Sequence, residues 1–119
     1  METVDIEGLC DNVAKAVERV RIGFRSKLDT SELLERFWCL QDHVTRLLES
    51  ASDSRQQTFD ILKRMHPRLI RDILDVLHFT EKTQFKNASA ICAAGHNINR
   101  SLAKLEFLRE QENVMVASA

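Results

Sequence analysis

Turn-forming residues are scarce in this chain: three glycines and one proline in 119 residues, with no tyrosine and a single tryptophan. Hairpins and tight β-turns depend on Gly, Asn-Gly or Pro at fixed places, so the composition points away from sheets and toward helices. An excess of one charge is missing as well, with 17 Lys and Arg against 18 Asp and Glu for a net charge of −1. A dedicated nucleic-acid binder carries a strongly basic footprint, so no nucleic-acid partner is expected. Long apolar runs are absent too. No stretch approaches the roughly 20 residues that cross a bilayer, and METVDIEGLCDN opens acidic with no apolar core. Neither a membrane partner nor a secretion signal is expected. Cys10, Cys39 and Cys92 are odd in number and far apart. They fit free thiols in a reducing, cytoplasmic setting better than a disulfide framework.

The motifs that carry chemistry are also lacking. His43, His66, His78 and His96 fall in different segments. Cys92 and His96 stand at i,i+4 and could supply two metal ligands, but no second pair completes a site. No Gly-rich phosphate loop, nucleophile elbow or HExxH sequence occurs. The expectation is a non-enzymatic protein with no catalytic residue, no cofactor and no metal.

What is present is helical periodicity. From about Val4 to Leu28, Ile6, Leu9, Val13, Val17, Val20 and Phe24 recur at steps of three and four, with Gly23 inviting a late bend. Asp29-Thr30-Ser31-Glu32 is a helix start signal, opening a helix from Ser31 to about Trp38 that buries Leu33, Leu34 and Phe37. Cys39-Leu40-Gln41 reads as a short connection, and Asp42 opens a helix to about Glu49 burying Val44, Leu47 and Leu48. Periodicity also admits one continuous helix over 31–49. Ser50 to Ser54 forms a loop, the next helix ends at His66-Pro67, and another runs from Pro67 to about His78. Thr80-Glu81 opens a helical stretch through Phe85, Ala88 and Ile91, interrupted at Gly95. A last helix spans about Asn97 to Asn113, and it either folds back on the bundle or pairs with another chain.

The order of these pieces resembles the death-fold superfamily, and within it the caspase recruitment domain (CARD). The residues that carry the resemblance are Arg25-Ser26-Lys27-Leu28, Asp29 with Glu32-Leu33-Leu34, Cys39-Leu40-Gln41-Asp42, Ser52-Asp53-Ser54-Arg55, Ile61-Leu62, and Leu69 through Leu77. The resemblance covers roughly residues 10–92. It implies an all-α fold, a compact antiparallel six-helix bundle over 1–92, with residues 93–119 as a C-terminal helical extension and tail. Two departures stand out. Gln41 replaces the usual small hydroxyl of the third helix, and the final helix lies outside a minimal CARD.

The resemblance further implies a non-enzymatic adaptor or regulator of innate-immune or apoptotic signalling, acting by homotypic assembly with other CARD proteins or with itself, as an oligomer or filament. A basic patch of Arg19, Arg21, Arg25, Lys27 and Arg55 would face an acidic patch of Asp29, Glu32, Glu35, Asp42 and Glu49 on a neighbour. Two unlike faces make such a contact heterologous, able to propagate without closing. The alternative is a structural helical subunit of a multiprotein scaffold, of trafficking, kinetochore or transcription type. One structural feature separates the two. A break near Leu40–Gln41 fits the death fold, whereas one straight helix points to an elongated bundle.

Overall fold

The computed structural model describes the backbone of residues 5–82 and 89–118 and the side chains of residues 5–79 and 89–112. Five helices follow one another: α1 (Ile6–Arg25), α2 (Thr30–Asp53), α3 (Arg55–Met65), α4 (Leu69–Lys82) and α5 (Ser89–Ser118). No strand occurs among the described residues.

The expectation of six helices and a C-terminal extension needs correction, first at the connection predicted over Cys39-Leu40-Gln41. Residues 30–53 form a single helix instead. Leu33, Phe37, Leu40, Val44, Leu47 and Ala51 are all buried, at alternating steps of four and three that never lose phase. Leu40 itself is fully buried. A break there would rotate one half of the stripe out of the core and cost the burial of large side chains, each about 1.5–3 kcal/mol. Neither Gly nor Pro is present to force it. The local hydrogen bonds agree: Thr45 Oγ1 donates to the Gln41 carbonyl at 2.8 Å, a bond back along a continuing helix. Asp42, expected to open a helix, reaches forward to Arg46 at 3.2 Å.

The corner between α1 and α2 is fixed by local chemistry. α1 ends with Leu28 N–H bonded to the Gly23 carbonyl and Lys27 N–H to the Phe24 carbonyl. These are the two bonds of a Schellman cap, and they put Lys27 in the left-handed region at φ 54°. Asp29 then caps α2, its carboxylate accepting from Glu32 N–H at 2.9 Å. Gly23 does not break α1. It is buried, and a Cβ there would lie 3.1 Å from Leu33 Cδ1, so its role is close approach of the two helices.

Elsewhere the connections are short. Ser54 alone separates α2 from α3, and the buried hydroxyls of Ser50 and Thr58 bond to each other across it at 3.1 Å. Pro67 and Arg68 form a turn, so α4 begins at Leu69, two residues later than the proline suggested. Thr80-Glu81 continues α4 and does not open a new helix, while Phe85 and Ala88 lie outside the described residues. Gly95 does not interrupt α5.

α5 folds back on the bundle. Ile91, Ala94, Ile98, Leu102 and Leu105 are buried in the same core as the α2 stripe. The boundary expected between residues 92 and 93 falls inside this helix. Residues 48–52 of α2 share a groove with 100–108 of α5, while Gly95 approaches Leu77 and Phe79 meets Phe24 edge-on, which in turn meets Phe37. α5 therefore runs alongside α2 in the same direction. At 30 residues it is about 45 Å long, and it accounts for the long dimension of a molecule measuring 49 × 29 × 21 Å.

Candidate protein-interaction faces

The outward face of α1 carries Lys15, Arg19, Ile22 and Arg25. Of the basic residues expected to act together, Arg19, Arg25 and Lys27 are exposed on the C-terminal half of α1 and its cap. Arg21 is engaged at 2.9 Å by Glu18, one turn earlier on the same helix. Arg55 does not join them. It opens α3 and lines a groove with Glu7, Asp60 and Arg64 at the other end of α1, about 27 Å along the helix from Arg25. Arg64 pairs with Glu7 at 3.5 Å there.

The acidic residues divide as well. Asp29 is committed to capping α2, and Glu32 sits in its first turn, where the helix dipole favours a carboxylate. Glu35, Asp42 and Glu49 are exposed at seven-residue spacing, so the uninterrupted helix aligns them along one outward stripe. Trp38, Thr45 and Ser52 run beside them at the same spacing. Trp38 is 54% exposed, an unusual state for the chain's only tryptophan.

Sequence reasoning missed Trp38 because the predicted break ended a helix there. A register carried unbroken from Leu33 to Leu47, which periodicity admits without choosing it, places it on the opposite side from the core.

Next to this stripe an open groove of about 640 Å³ separates α2 from α5. Leu48, Glu49 and Ser52 line one wall, and Arg100, Ala103, Lys104, Phe107 and Leu108 the other. Phe107 is 59% exposed. Among the described residues, Glu35, Glu49, Arg100 and Lys104 make no ion pair within the chain. The face thus has an acidic side on α2, a basic side on α5, and two uncovered aromatic rings.

A second apolar spot lies between α1 and α4, where Phe79, 50% exposed, stands beside Phe24, Val76, Arg21, Arg25 and Asp75. On the far side of the bundle His66 Nε2 meets Asp11 Oδ1 at 2.7 Å, tying the α3–α4 turn to α1.

Groups suited to chemistry are dispersed. No cluster of three or more His, Cys, Asp or Glu that could hold a metal occurs among the described residues. Cys10 is fully buried, and burial, helped by the charges of Asp11 and Glu7, pushes its thiol up to about 11. It is protonated and shielded at neutral pH, the opposite of an activated nucleophile. Cys39 is exposed and Cys92 half-buried, and no disulfide forms. Among the described residues no helix is long and apolar enough to cross a membrane.

No protein-family model, no curated protein and no solved structure matches this chain. Nothing among them identifies a death-fold domain.

Proposed function

We propose that this protein is a non-enzymatic helical subunit of a multiprotein assembly, working as a structural scaffold through its outward helix faces. The observation that carries this is the continuity of α2, which sets Trp38 and a line of three carboxylates on a solvent-facing stripe. An exposed aromatic ring flanked by charge is the usual make-up of a binding hot spot, because it supplies much contact area with little side-chain entropy to lose. The dispersal of titratable groups and the shielded state of Cys10 give no support to a catalytic role.

A photo-activated cross-linking amino acid placed at Thr45, on the stripe, tests this in the full-length protein within its own cell. Discrete, reproducible protein adducts at Thr45, and none at the outward Gln57 of α3, are expected. A Thr45 pattern no different from Gln57 would overturn the proposal.

Homotypic CARD-type assembly in innate-immune or apoptotic signalling is the second reading. It is favoured by one observation, the exposed bases of α1 and acids of α2 on separate faces. The continuous α2 removes the fold marker on which it leaned. It requires that Arg25→Glu abolish self-association and that Asp42→Arg in the same chain partly restore it. Self-association untouched by Arg25→Glu rules it out.

A further inference from the structure

We infer that the partner of the α2–α5 face is a second copy of this chain, paired about a two-fold axis that runs along the groove. The inference rests on the proposed role as an assembly subunit and specifies one of its contacts.

The argument begins with uncompensated charge. The outward side of α2 carries Glu35, Asp42 and Glu49, while the groove side of α5 carries Arg100 and Lys104. Among the described residues, Asp42 is the one of these five with a counter-charge, the neighbouring Arg46. The two helices run the same way, side by side on one surface. A two-fold axis parallel to them therefore lays α2 of one copy on α5 of the other without changing height along the axis. Glu49, which lies level with Arg100 and Lys104 within one chain, then meets Arg100 and Lys104 of the second copy. Symmetry supplies the same contact twice, because a two-fold interface uses one patch on both subunits.

The competing arrangement fails on charge. An axis perpendicular to the helices would stack α2 on α2 and oppose the two acidic stripes, and like charges facing across an interface disfavour it. The pairing also covers what the monomer leaves bare. Trp38 and Phe107 both border this face, at 54% and 59% exposure, and a large exposed ring rimmed by polar groups commonly marks an interface. Such a dimer is closed. It does not grow, unlike the heterologous contact of α1 with α2 in a filament.

Sedimentation velocity on the full chain, read together with emission from its only tryptophan, tests the pairing. The expected result is a monomer–dimer equilibrium in which Trp38 emission moves to shorter wavelength and resists aqueous quenchers as concentration rises. Trp38→Ala should weaken the dimer about thirtyfold, as loss of a central aromatic anchor does. Glu49→Arg should weaken it about tenfold, and adding Arg100→Glu in the same chain should restore most of that loss by exchanging the charges across the axis. Arg19→Glu on α1 should change nothing. A chain that stays monomeric at every concentration overturns the pairing, as does a dimer whose Trp38 remains quenchable and which ignores Glu49→Arg. A monomer that still gives Thr45 cross-links to other proteins sinks only the self-pairing. A monomer with no Thr45 adducts sinks the scaffold role with it.

Discussion

α2 takes part in two helix pairs that are built differently. Its pairing with α1 follows a four-residue corner and is closed by local chemistry: a Schellman cap at Lys27–Leu28, the Asp29 carboxylate on Glu32 N–H, and Gly23 letting Leu33 approach. Arg36 reaches across that seam to donate to the Arg19 carbonyl at 2.6 Å. Its pairing with α5 joins segments far apart in sequence and is packed from core side chains, leaving a groove with unpaired charges and exposed rings outside. The contrast teaches where a partner can bind. A seam completed by its own hydrogen bonds has little left to offer, whereas one completed only on its inner side keeps binding capacity on its outer side.

The largest test of this contrast compares two residues of α2 two positions apart. Leu40→Ala empties a fully buried site and should cost about 2–5 kcal/mol in urea unfolding. Trp38→Ala, although the larger truncation, should shift the stability of the monomer by less than about 0.5 kcal/mol, as surface substitutions do. Similar costs for both would mean that Trp38 is part of the monomer's core and not of a free face.

Alkaline pH gives the next largest effect. The Cys10 thiol ionises at about 11 when folded and near 9.0 when exposed, so the neutral form is favoured by folding. Its contribution is complete below pH 9.0 and is lost as pH rises through about 11, up to roughly 2–3 kcal/mol. Wild-type stability should therefore fall more steeply than that of Cys10→Ala over this range. Parallel curves would show that Cys10 is not shielded.

The corner itself predicts about 1 kcal/mol lost for Asp29→Ala, through the missing cap. Lys27→Gly should add about 1 kcal/mol, because glycine tolerates the left-handed backbone at that position. Thermal unfolding of both variants checks the pair. No change in either would remove the corner from the list of locally closed seams.

The smallest effect separates the two glycines. Gly95→Ala places its Cβ 3.7 Å from Leu77 Cδ2, an ordinary contact, and should stabilise α5 by roughly 0.5–1 kcal/mol. Gly23→Ala meets Leu33 at 3.1 Å and should lose that benefit to crowding. Equal gains at both sites would deny that the α1–α2 seam is the tighter one.

Much of the fold is legible in the sequence. Helix content, the apolar face of α1, the start at Asp29 and the stop at His66 all follow from side-chain chemistry acting within a few residues. The number of helices was not legible, because Cys39-Leu40-Gln41-Asp42 contains plausible connection residues and a plausible cap. The choice belongs to Leu40, which the core holds between Phe37 and Val44. The candidate face suffered from the same error. The resemblance groups Glu35, Asp42 and Glu49 with Asp29 and Glu32 in one acidic patch, but only an unbroken helix aligns the three with Trp38. Arg100, Lys104 and Phe107 were assigned to a trailing extension, and no local signal says that residues about fifty positions from α2 will flank it.

The sequence by itself determined the helical class, the cap at Asp29, the stop at His66 and the apolar side of α1, since those depend on short-range periodicity and backbone hydrogen bonding. Only the tertiary structure decided that α2 runs unbroken, that α5 lies parallel to it, and that Arg55 is separated from the other bases. These depend on which apolar stripes find each other in space. That is a matter of filling one core among all five helices, and no window of the chain contains the information to settle it.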